Sequence, residues 1–89
     1  MSGAMRKACR LELNNSGAWK LLGTFDAADE MQTALVLDAA EELIKTLNNG
    51  GPAKRCPTLR VSIDEPLGEV LMRWDIENGW RDAATGDPV

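Results

Sequence analysis

The chain has 89 residues, a formal net charge of -4 and an apolar fraction of 44%, which together describe one globular domain rather than a disordered chain. Its negative charge disfavours nonspecific binding to nucleic acid or to an anionic membrane, both of which need a basic field. No apolar run approaches the roughly 18 residues of a membrane span and no secretory h-region opens the chain, so the expected location is cytoplasmic.

Residues 1–5, MSGAM, are small and unpatterned and read as a loose terminal segment; residues 6–83 form the domain, and 84–89 read as a loose tail. From Lys7 to Leu13 the sequence alternates, with Cys9, Leu11 and Leu13 on one face. Trp19 to Phe25 alternates as well, and NNSG between the two runs is a turn signal. A three-residue loop Asn15-Ser16-Gly17 pairs Asn14 with Ala18, Leu13 with Trp19, Leu11 with Leu21 and Cys9 with Gly23. That register gathers the apolar residues on one side.

The periodicity predicts a helix over Ala27–Leu47, capped by Asp26 and with Asp29 and Glu30 suited to the helix dipole. Val36, Ala40, Leu43 and Leu47 are expected inward, with Ala39, Ile44, Met31 and Leu35 beside them. Asp38, Glu41, Glu42 and Lys45 are expected outward. Asn48-Asn49-Gly50-Gly51-Pro52 stops the helix.

The linker Gly50–Pro57 is basic and irregular. Thr58 to Asp64 alternates, with Leu59, Val61 and Ile63 inward; Glu69 to Ile76 follows, with Val70, Met72, Trp74 and Ile76 inward and Leu71, Arg73 and Asp75 outward. Two registers fit the last hairpin. A three-residue loop pairs Ile76 with Trp80 on the core face, whereas a two-residue Asn-Gly turn exposes Trp80.

These elements define an α+β fold: a single central helix on one face of a four- to five-stranded, mainly antiparallel sheet with ββαββ(β) topology. The expected strand order is 2-1-3-4, with the short fifth strand at the edge, since clean alternation and a lone helix suit an antiparallel sheet. The layout fits neither the α-β-β-β-α order of double-stranded-RNA-binding domains nor the two-helix ferredoxin-like arrangement.

Chemistry is sparse. The chain has no histidine and only two cysteines, Cys9 and Cys56, so the commonest general base, the commonest metal ligand and every recognised zinc spacing are missing. No metal, cofactor or catalytic residue is expected. Cys56 follows Lys54-Arg55 in the linker, a setting that activates a thiol if it is exposed. Asp75 and Asp82 would face one another if the last hairpin took a two-residue turn.

The expected function is therefore non-enzymatic association, with a second copy or another protein as partner, through the sheet face that the helix leaves open or through its second strand as an edge. The contact candidates are Leu22, Leu71, Arg60, Arg73, Lys20 and Trp80. The alternative is a nucleic-acid-binding module built on the basic residues of that face, Arg10, Lys20, Arg60 and Arg73.

Overall fold

The computed structural model describes residues 7–89; the expected loose segment 1–5 lies outside them. The chain runs β1 (Ala8–Asn14), β2 (Trp19–Asp26), α1 (Glu30–Asn48), a 3-10 turn (Ala53–Arg55), β3 (Thr58–Ile63), β4 (Val70–Asp75) and β5 (Gly79–Asp82). All five strands join one antiparallel sheet in the order β2-β1-β3-β4-β5, with α1 against one face. The two hairpins meet through β1 and β3, so no parallel crossover is needed.

Alternation places the strands correctly, but irregularities in pairing change which side chains share a face. In the first hairpin Asn14 pairs with Trp19, so the loop has four residues rather than three. The Asn14 side chain closes it by accepting the Gly17 N–H at 2.8 Å. Leu11 then pairs with Gly23 and Glu12 with Leu21, leaving Leu22 as the extra residue of a bulge. That bulge restores Phe25 opposite Cys9, both buried. Its consequence is that Trp19 and Leu21, expected inward, lie with Asn14 and Glu12 on the face away from the helix.

A second bulge reverses another expectation. Val61 pairs with Met72 but Ser62 pairs with Val70, so Leu71 is skipped. Val70 turns to the open face and Leu71 packs against the core instead. In the last hairpin Trp74 pairs with Trp80 and Asp75 with Gly79. Neither expected register is used, because Asp75 Oδ1 accepts the N–H groups of Glu77 and Asn78 and so fixes a three-residue loop starting at Ile76.

The helix starts later than expected. Asp29, not Asp26, is the N-cap and accepts the Gln32 N–H at 2.9 Å. Asp26 instead accepts the N–H groups of Lys7 and Ala28, tying the end of β2 to the chain entering β1. At the other end Asn49 adopts the left-handed conformation and returns its N–H to the Lys45 carbonyl.

The core is built from Cys9, Leu11, Phe25, Leu59, Val61 and Trp74 of the sheet, with Leu37, Ala40 and Ile44 of α1 and Cys56 of the linker. Two indoles set the rotation of the helix. Trp74, almost fully buried, donates its Nε1–H to Glu41 Oε1 at 2.8 Å, and Trp80 donates its own to the Leu37 carbonyl at 3.3 Å. A buried indole N–H left unpaired is costly. Glu41 is thus an acceptor for the core, not the solvated surface acid that its sequence position suggests.

The last residues return to β5: Val89 N–H bonds to the Trp80 carbonyl, Asp82 N–H bonds to the Asp87 carbonyl, and Arg81 bridges to Pro88. Backbone that would otherwise form an open sheet edge is thereby used. No helix among the described residues is long and apolar enough to cross a membrane.

Candidate interaction surfaces

Because the indole bonds direct Leu37, Ala40, Glu41 and Ile44 at the sheet, most other large apolar residues of α1 are left outside. Met31, Leu35, Leu43 and Leu47 are 75%, 65%, 54% and 70% exposed. They were expected to be core. With exposed Ala39 they recur every four residues, so they form one continuous ridge. At about 100° per residue the ridge winds from the outer side of the helix at Met31 to the rim of the core at Leu47.

The strand β2 contacts α1 and carries Leu22 and, on the face away from the helix, Leu21, both at least half exposed. As an edge it is poorly suited to strand addition. The Leu22 bulge interrupts its ladder, and exposed Lys20 guards it.

The open face of the sheet is organised around one carboxylate. Glu12 Oε1 accepts Arg60 Nε at 2.8 Å and the Ser62 hydroxyl at 3.2 Å, and Glu12 and Ser62 are buried although no helix covers them. Burial alone would raise the Glu12 carboxyl, but the hydrogen bonds and charge of Arg60, with help from Ser62 and Arg10, hold it below the usual carboxylate range. The Arg60 guanidinium also lies over the Trp19 ring, 4.1 Å from its centroid. Trp19 is a functional candidate missed in the sequence, because an uninterrupted register points it inward.

Beside Arg60 the cross-strand pairing places Arg73, and beside Arg73 it places Arg81. Arg81 contacts Asp75 Oδ2 at 3.6 Å, whereas Arg73 is exposed and bonds to no acidic side chain among the described residues. Trp19, Thr58, Arg73, Asp75 and Arg81 line a cleft of about 160 Å³. Farther along the same face Arg10 donates to the Glu65 carbonyl and pairs at 3.8 Å with Asp64, yet its Nε is buried without a hydrogen bond.

The six contact candidates therefore separate. Arg60 and Arg73 are neighbours on the open face. Leu22 and Lys20 are exposed on β2, but Lys20 pairs with Leu13, which packs against the core, so it lies on the helix side of the sheet and not on the open face expected for it. Leu71 is half-buried against the core, and Trp80 is half-buried with its N–H on α1, so neither is a free surface group. Asp75 lies opposite Gly79 and Asp82 opposite Met72, so these two carboxylates form no pair.

Cys56 also departs from expectation. It is buried rather than exposed, and burial raises its thiol pKa, as it does for Cys9. Burial thus favours the protonated thiol over the thiolate at both positions. Among the described residues no group of three or more Cys, Asp and Glu side chains is arranged to hold a metal ion. Comparison of the chain with protein-family models, with curated proteins and with solved structures found no match.

Proposed function

We propose that this protein acts without catalysis, through protein–protein association, and that α1 is its self-association surface, with a second copy as occupant. The observation that carries this reading is the exposed ridge Met31, Leu35, Leu43 and Leu47. Rows spaced by four residues interdigitate with identical rows, so the ridge is complementary to itself and supports a closed two-fold contact.

The size is adequate for a weak dimer. From Met31 to Leu47 the ridge runs about 24 Å at 1.5 Å per residue. Completing the burial of four half-exposed side chains contributes about 1 kcal/mol each on either copy. The sum, about 8 kcal/mol, is set against an association cost of at least about 4 kcal/mol. With at most about 4 kcal/mol left over, a dissociation constant in the millimolar range follows.

Sedimentation equilibrium across that concentration range tests the reading. The wild-type chain is expected to dimerise, and Leu35→Glu and Leu43→Glu to remain monomeric with unchanged circular dichroism. A wild-type chain that stays monomeric at the highest concentration overturns it.

A further inference from the structure

We propose that the cleft beside the arginine row Arg60, Arg73 and Arg81 is a binding site for a carboxylate carried by an acidic peptide segment. The site lies on the opposite side of the sheet from α1 and does not rest on the dimer.

The row sets like charges directly opposite one another on adjacent strands, an arrangement that destabilises a sheet. Its outer members have partners: Arg60 is held by Glu12 and covered by Trp19. Arg81 contacts Asp75 at only 3.6 Å, and that carboxylate is already occupied by the Glu77 and Asn78 donors of its own turn. Arg73, the central member, bonds to no acidic side chain among the described residues. A folded chain that keeps three arginines at facing positions on adjacent strands, with one unneutralised, sacrifices stability, the pattern expected where a site awaits its ligand. An anionic group seated between Arg73 and Arg81 relieves the repulsion and accepts the paired N–H groups that arginine presents to carboxylates.

The surroundings select the ligand. The cleft of about 160 Å³ admits one or two side chains and is lined by Trp19, Thr58 and Asp75 beside Arg73 and Arg81. Glu12 and Asp75 share the face and the whole chain carries a charge of -4, so the positive field is local and does not follow a polyanion. The sole aromatic on that face, Trp19, already carries the Arg60 guanidinium and is not free on that side to stack a base. A short acidic peptide fits these conditions better than a nucleic-acid strand.

The probe is an acetylated, amidated and dye-labelled Gly-Ser-Gly-Glu-Glu-Gly-Ser-Gly peptide titrated against the full chain at low salt, with succinate and an eight-residue oligothymidylate in parallel. Binding of the peptide is expected, weakened about 10-fold or more by Arg73→Gln and unchanged by Lys54→Gln, which lies on the linker. Arg73→Gln is also expected to raise the melting temperature of the free protein by about 1–5 °C, since it removes the like-charge contacts. The proposal is overturned if the peptide fails to bind, if oligothymidylate binds more tightly, if succinate binds as well as the peptide, or if Arg73→Gln lowers the melting temperature. The titration on monomeric Leu43→Glu is expected to match the wild type, which keeps this test apart from that of the dimer.

Discussion

Replacing Glu12 tests the organisation of the open face most directly. Its Oε1 is the acceptor for both Arg60 and Ser62, and all three groups are at least three-quarters shielded. Glu12→Ala leaves a guanidinium without its counter-charge and a buried hydroxyl without an acceptor. Breaking a fully buried pair costs about 3–5 kcal/mol. Arg60 retains some solvent here, so about 2–3 kcal/mol is expected, a fall in melting temperature of about 8–20 °C for a domain of this size. Glu12→Gln keeps an acceptor oxygen but no charge, and is expected to cost roughly half as much. The pH dependence separates charge from packing. Because the folded-state pKa of Glu12 is depressed, its charge contributes fully above the unfolded value of about 4.3 and is lost as pH falls through the lower folded value. Urea denaturation from pH 7 to 2.5 should therefore show the wild type and Glu12→Gln converging below about pH 4. A Glu12→Ala cost under about 0.5 kcal/mol, or a wild-type advantage over Glu12→Gln that persists undiminished to pH 2.5, would refute the buried-pair account.

Further outcomes follow from single contacts. Glu41→Ala strands the buried Trp74 N–H and is expected to cost about 1–2 kcal/mol by urea denaturation, with Glu41→Gln recovering at least half. Gly68→Ala is expected to lower stability by about 2 kcal/mol or more, since its Cβ would meet the Ile63 carbonyl, a backbone atom that cannot swing aside. Neighbouring Leu67 is fully exposed with φ of 58°, and Leu67→Asn is expected to raise stability by roughly 0.5 kcal/mol in the same assay, because asparagine tolerates that conformation better.

The architecture was legible in the sequence because it depends on periodicity alone: alternating runs, one long helical pattern and turn residues at the right places. Facing was less legible, because one extra residue moves side chains to the other side of a sheet. Leu22 and Leu71 are such residues, and nothing in WKLLGTF or VLMRW marks which position will be skipped. Bulges are selected by the completed core, here by Phe25 meeting Cys9 and by Leu71 meeting the cluster behind β4. Trp19 was misplaced for this reason, and with it the aromatic of the open face. The helix carried a readable warning. Its large apolar residues, from Met31 to Leu47, spread over roughly 240° of the wheel at about 100° per residue, where a one-sided helix needs a stripe of roughly 100°. Some had to remain outside. Which ones depended on where Trp74 and Trp80 found acceptors, and that is a tertiary fact.

The same indole bonds link the two proposed surfaces in a definite geometry. By holding the Leu37–Ile44 side of α1 against the sheet, they turn the ridge outward on one side of the molecule, while the arginine row faces outward on the other. A two-fold contact through the ridge therefore leaves both arginine rows uncovered and facing away from the dimer axis. The surfaces are separated by the full thickness of the helix and sheet layers, about 10 Å between the layers alone, with the core between them. Substitutions so placed, without shared partners, act nearly additively. The proposed self-association and anion recognition are thus expected to be separable: Leu43→Glu should act on one, Arg73→Gln on the other, and the double variant is expected to combine both losses without coupling.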